Sequence, residues 1–221
     1  MFGRLDLINI LYSLPAVFLA FSVHEFAHAF TAYRMGDHTP RFQGRLTLDP
    51  LAHVDWIGLI MFLIFGFGWA RPVQVNPSNF KNRKWGDILV SLAGPISNLI
   101  LAFIAILLIQ LFRLLPQFYT NYASSTAFVI LIRIMERIAF LNVVFTFLNM
   151  IPVPPFDGYK VIKTLFFKGN IKFFWILERY SLLILFMMIM LNIFDYIISA
   201  PSHYVYRFLS SSTSKIIGFF F

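Results

Sequence analysis

His24-Glu25-Phe26-Ala27-His28 sets two imidazoles four residues apart with a carboxylate beside the first. On a helix that spacing puts both rings on one face, one turn apart, where they can share a metal ion. Glu25 then projects beside the pair, placed to take a proton from a metal-bound water rather than to ligate. The competing reading is a chance pattern on a solvated face, and the surroundings weigh against it. Residues 7–23 carry no charge, and the apolar character runs on through the motif to Tyr33. Ionisable groups inside a membrane cost about 2.5 kcal/mol or more each and mark functional sites by default.

Two histidines give two ligands, whereas a catalytic zinc site takes three protein ligands and a water. Among the carboxylates far from the motif in sequence, Asp157 stands out. It closes the run Asn149-Met150-Ile151-Pro152-Val153-Pro154-Pro155-Phe156-Asp157-Gly158 at the end of an apolar stretch. The three prolines break a helix and free backbone carbonyls, which a membrane tolerates only against protein or a wet cavity. The plain alternative for Asp157 is a loop carboxylate paired with Lys160. Asn149 has an amide able either to reach a reacting oxygen or to bond the freed carbonyls. His53 is read as an accessory ligand or gate, or else as a hydrogen-bonded loop histidine; His38 and His203 are read as surface residues.

The elements that must position these groups are membrane helices. Of 221 residues 59% are hydrophobic and 13% charged, with 28 Phe and a mean hydropathy of +0.75. Soluble domains run near ~45–50% apolar and ~25% charged. The composition excludes a water-soluble enzyme, a disordered chain and a nucleic-acid-binding domain, despite a net charge of +8. With no Cys, disulfides and thiolate metal sites are also excluded. Spans are expected at 7–33, 88–112, 128–156 and 180–199, each near the ~20 residues a crossing needs. The stretch 56–70 is short, contains Gly58, Gly66 and Gly68, and is expected to dip into the membrane and return. Its flanks, about 41–48 and 70–75, are expected to be short strands or turns at the membrane face. With the dip, the basic loops 34–55, 71–87 and 157–179 share one side, which their charge makes cytoplasmic, while loop 116–127 has no basic residue. A cleaved signal ending near Ser22 would strand the His-Glu motif at a terminus and is rejected.

The fold class expected is therefore an all-α polytopic membrane protein of four to five transmembrane helices, with a short membrane-associated β-hairpin or re-entrant segment. A single domain over 1–221 is expected, its core at about 7–165 and a C-terminal span and tail at about 173–221.

The HEFAH helix, Ser91-Leu92-Ala93-Gly94-Pro95-Ile96-Ser97-Asn98 and the NMIPVPPFDG segment together resemble the site-2 protease family of intramembrane zinc metalloproteases. The likeness runs from about Leu14 to Lys163 and is nearest to small bacterial members without PDZ or CBS domains. Phe156 stands where the family often has Leu, and Asp49 where it often has Asn. The resemblance implies a three-helix core with zinc held by His24, His28 and Asp157 and water activated by Glu25. It also implies that Asn149 assists substrate or the developing oxyanion. Gly94 and Asn98 are read as a close helix contact and an amide bonding across helices.

Cleavage of peptide bonds within a single-span membrane protein, one zinc per chain, is the activity so implied. The implied setting is the inner membrane of a bacterium, with the site toward the cytoplasm, the lipid bilayer as surroundings, a regulatory membrane protein as a further partner and no nucleic acid. An intramembrane metal-ion transporter is the alternative from another class; a silent scaffold is disfavoured by the intact Glu25.

Overall fold

The computed structural model describes residues 7–65, 68–114, 125–166 and 171–220, and the regular elements among them are helical. Gly66 and residues 116–124 of the expected loop 116–127 lie outside the described residues. Three long helices form the body: α1 (Leu7–Met35), α5 (Arg83–Leu114) and α6 (Thr126–Asn149), each packed on the other two. Small buried residues line their contacts, with Ala16, Ala20, Ala29 and Ala32 on α1, Ala102 and Ala105 on α5, and Ala139 on α6. Lipid is as apolar as a leucine side chain, so membrane helices associate through such close backbone approach rather than through hydrophobic burial. Buried hydroxyls in α1 are satisfied within the helix, Ser13 donating to Asn9 O at 2.8 Å and Ser22 to Phe18 O at 2.7 Å.

Ile8–Met35 and Arg83–Leu114 are long and apolar enough to cross a membrane. The expected third span is the 24-residue α6, about 36 Å long at 1.5 Å per residue. Its first half carries Arg133, Glu136 and Arg137. It stops at Asn149 because Pro152, Pro154 and Pro155 bring no N–H to continue the ladder. The chain turns there into α7 (Asp157–Phe166).

The expected last span at 180–199 is not one helix. It divides into α9 (Ser181–Met190) and α10 (Ile193–Phe220), with Asn192 at φ 53° between them. An asparagine tolerates that left-handed backbone, and one such residue ends a helix. Upstream, α8 (Ile171–Arg179) meets α9 at a 58° bend, and the two form a broken candidate span. The tail beyond 200 continues α10.

Of the two readings of the flanks of 56–70, strand or turn, the first flank takes the turn. No strand occurs among the described residues; the pairing present is an isolated antiparallel bridge, Val54 with Ala70, beside an Arg71 N–H to His53 O bond of 2.8 Å. Pro40 and Pro50 instead start two single-turn helices, α2 (Thr39–Phe42) and α3 (Pro50–His53), and Pro72 offers no ladder donor. Between the bridged ends, α4 (Trp56–Phe65) is about 15 Å long, half of a ~30 Å hydrocarbon core. The segment thus leaves and comes back side by side. Its two limbs touch at glycines: a Cβ on Gly58 would fall 2.2 Å from Trp69 O, and one on Gly68 2.1 Å from Gly58 O.

Candidate metal centre

α1 brings His24, Glu25 and His28, and the first turn of α7 brings Asp157; all four are buried. His24 Nε2 and His28 Nε2 lie 2.9 Å apart, and Asp157 Oδ2 is 3.2 Å from the first and 3.1 Å from the second. Three lone-pair atoms converging this closely repel one another unless a proton or cation lies among them. Ligands ~2.0–2.1 Å from one tetrahedral zinc would be about 3.3 Å apart, close to the separations found.

The surrounding bonds fit a metal site. His28 Nδ1 is 2.7 Å from Val90 O. A carbonyl only accepts, so Nδ1 carries the proton and Nε2 keeps a lone pair for a cation. Gly94 leaves the room: a Cβ there would sit 2.5 Å from both His24 Cε1 and His28 Nε2. The glycine expected at a helix contact is therefore packed against the two imidazoles themselves. Pro95 follows it in α5, and its carbonyl accepts from Thr146 Oγ1 at 3.1 Å, which ties α5 to α6 at the same level. His24 Nδ1 is buried with no partner among the described residues.

Asp157 satisfies both of its sequence readings. Oδ2 faces the imidazoles while Oδ1 accepts from Lys160 Nζ at 2.9 Å. As the first residue of α7 it also lies where a helix favours negative charge.

Glu25 points to the other wall of a cavity of about 360 Å³, which it shares with His24, His28, Asn149 and Asp157. Its Oε2 accepts from the Val73 backbone N–H at 2.8 Å. Nothing in the sequence marks this donor. Asn149 lines the cavity, but its Nδ2 donates to Phe145 O at 3.0 Å, inside its own helix, rather than to a carbonyl freed by the prolines. His53 lies outside the metal cluster, fully buried, with Nε2 2.8 Å from Thr47 O. His38 and His203 are exposed, as expected. Asn98 is 1% exposed, and its Oδ1 has no partner among the described residues, contrary to the bond expected across helices.

Segment 72–80, which carries Val73, is fastened by a residue that sequence reasoning passed over. Asp37, fully buried just after α1, accepts from Thr39 N–H (3.1 Å) and Oγ1 (2.6 Å), Asn76 N–H (2.7 Å) and Asn79 Nδ2 (2.8 Å). Burial alone would raise this carboxyl, but the hydrogen bonds from Thr39, Asn76 and Asn79 outweigh it and hold it below its ordinary value. A Gly-Asp pair after a metal-motif helix was the available signal.

The model of Peptidase family M50 matches residues 12–120. Several relatives bear names reading "Putative zinc metalloprotease". YwhC of Bacillus subtilis is 43% identical over 159 residues, 70% of this chain and 68% of the relative. Rip2 of Mycolicibacterium smegmatis is 33% identical over 150 residues, 66% of this chain and 53% of the relative. A relative from Methanocaldococcus jannaschii, MJ0611, is 27% identical over 164 residues, 73% of this chain and 74% of the relative. The chain thus spans about half the length of the mycobacterial relative. No solved structure matches. Nothing in these matches supports the transport reading.

Proposed function

The chain belongs to peptidase family M50, the site-2 protease family of zinc metalloproteases, and from that premise we propose an intramembrane endopeptidase. Its substrate is a single-span membrane protein, cut within the transmembrane segment. One observation carries the reading: two imidazoles and an adjacent glutamate, on a helix apolar enough to cross the bilayer, share one cavity with the Asp157 carboxylate brought from α7.

His24, His28 and Asp157 would hold the zinc. When bound, zinc supplies Lewis acidity toward a peptide carbonyl and makes a neighbouring water more acidic. Glu25 takes the water proton on one carboxylate oxygen while Val73 N–H steadies the other, and delivers it to the departing amine. Lys160 holds the back of Asp157 and so keeps Oδ2 turned to the imidazoles. Asn149 offers an amide N–H at the cavity wall to the developing oxyanion.

α6 and the bent α8–α9 pair complete four crossings with α1 and α5, and α4 is the re-entrant segment. The basic loops 34–55 and 71–87 and the α7 part of loop 157–179, with Lys160 and Lys163, then lie together on the cytoplasmic side of the inner membrane, where α7 begins and α1 ends.

Co-expression with candidate single-span proteins tests this. Glu25→Gln is expected to keep zinc and lose cleavage, a drop of about 100-fold or more. His24→Ala and Asp157→Ala are expected to lose zinc. Full cleavage by the Glu25 variant sinks the assignment of the base; full zinc in both others sinks the ligand set.

A further inference from the structure

Along α6, two cavities adjoin. The first, about 520 Å³, is of mixed polarity and lined by Asn9, Tyr12, Arg133, Glu136, Arg137 and Tyr206. The second, about 270 Å³, is mainly apolar and lined by Phe21, Phe62, Leu141, Val144, Phe145 and Leu148, with Asp195 also on its wall. Phe140 and His203, whose ring centroids lie 5.1 Å apart, belong to both, so the two are neighbouring parts of a groove along α6 between α1 and α10.

The polar end has an excess of positive charge. Glu136 reaches Arg113 at 3.4 Å, and no ion pair among the described residues involves Arg133 or Arg137. Arg137 Nη2 donates to Asn9 Oδ1 at 2.6 Å, and the Arg133 guanidinium lies over the Tyr12 ring at 5.9 Å. The two arginines sit one helical turn apart on a face shared with the groove. Charged groups at such a position are retained in membrane helices when a partner of opposite charge meets them.

We propose that this groove binds an anionic glycerophospholipid, its phosphate on Arg133 and Arg137 and one acyl chain along Phe140, Val144 and Leu148. Guanidinium forks suit phosphate oxygens, and Tyr12 and Tyr206 suit the headgroup level. From Arg137 to Leu148 α6 rises about 16 Å, the depth of one leaflet of a ~30 Å hydrocarbon core. An alkyl chain brings no polar group to the apolar lining. A helix about 10–12 Å across is too wide for a cavity of this volume. The inner end of the groove meets Phe21 and Phe145, whose rings are 5.3 Å apart, one turn from His24 and Asn149. An acyl chain seated there abuts the wall of the metal cavity.

The test takes the full chain from vesicles of equal parts phosphatidylglycerol and phosphatidylcholine and measures the lipid it retains in detergent. Two arginines predict a preference for phosphatidylglycerol of about 30-fold, falling to parity in Arg133→Gln/Arg137→Gln. Val144→Trp, which fills the groove and leaves the arginines in place, is expected to lose the bound lipid, and decides the matter if the double variant does not fold. Parity in the wild type, an undiminished preference in the double variant, or unchanged retention in Val144→Trp overturns the proposal. So does displacement by glycerol phosphate as readily as by lipid, which marks a free-anion site. Displacement by a transmembrane peptide with no lipid bound marks a substrate groove and overturns it too. Zinc content is unaffected in every arm, so the outcome is independent of the protease reading.

Discussion

Glu25 Oε2 and the Val73 amide N–H lie 2.8 Å apart, so the candidate base of α1 is held by backbone 48 positions away. The donor belongs to the extended segment that follows the bridge of Val54 with Ala70, and it lines the cavity that holds the imidazoles. Fixing one carboxylate oxygen leaves the other to exchange protons without the side chain swinging. The segment 70–75, expected as a strand or turn, thus serves the site through a single amide.

Removing that amide is the direct test. Val73→Pro deletes the N–H, whereas Val73→Ala keeps it. A hydrogen bond to a charged group is worth about 1.5–3 kcal/mol, so cleavage by the proline variant is expected to fall about 10- to 100-fold. Zinc content should remain at one per chain, and the alanine variant should cleave nearly as the wild type. Equal loss in both variants refutes the role of the amide.

Gly94→Ala probes the packing behind the ligands. Its Cβ would lie 2.5 Å from His24 Cε1 and His28 Nε2, so the rings or α5 must shift. Overpacking of this kind costs about 1–3 kcal/mol. Zinc per chain and cleavage are expected to fall together while helix content by circular dichroism holds. An alanine variant with full zinc and full cleavage would contradict the contact.

The candidate ligand cluster was legible because helical period alone puts His24 beside His28, and because the prolines mark the break between α6 and the helix that Asp157 opens. The apolar composition likewise announced helices in a membrane. What stayed hidden depends on backbone atoms, which leave no trace in residue type: the Val73 donor, the Val90 acceptor that sets the His28 tautomer, and the bridge from Val54 to Ala70. The flank at 41–48 takes the turn rather than the strand reading because Pro40 and Pro50 nucleate helical turns more readily than they join a ladder. The helix expected over 180–199 is interrupted at Asn192, a single residue whose left-handed backbone no hydropathy average detects.

Asp37 supplies a pH-dependent prediction. Its carboxyl is held below the ordinary value, so the folded chain loses the proton more easily than the unfolded one. The stability this contributes is complete above the unfolded value, about pH 4, and is lost as pH falls through the lower folded value. Asp37→Asn is expected to lower the unfolding temperature at neutral pH and to flatten the acid limb. A loss of about 1–3 kcal/mol follows from an N–H₂ set against the donors that the carboxylate now accepts. Segment 72–80 should also become more sensitive to added protease. An acid limb unchanged by the substitution would show that other carboxylates set it.

A last prediction concerns what keeps α7, and hence Asp157, in place. Tyr159 donates to Glu178 Oε1 at 3.1 Å, and Lys163 pairs with the same oxygen, which clamps α7 to α8. Burial pushes the Tyr159 hydroxyl up to about 12, with the charge of Glu178 and the hydrogen bond to it adding to the rise. Above about pH 10 the unfolded chain ionises this tyrosine while the folded one keeps the proton, so stability falls as pH climbs from about 10 to about 12. A spectrophotometric titration of the wild type minus Tyr159→Phe should isolate a tyrosinate with its midpoint near 12. Glu178→Gln should bring that midpoint down only partway, because burial remains, and should hasten zinc loss to a chelator as α7 loosens. A difference titration centred on the ordinary tyrosine value would mean that α7 and α8 are not joined in this way.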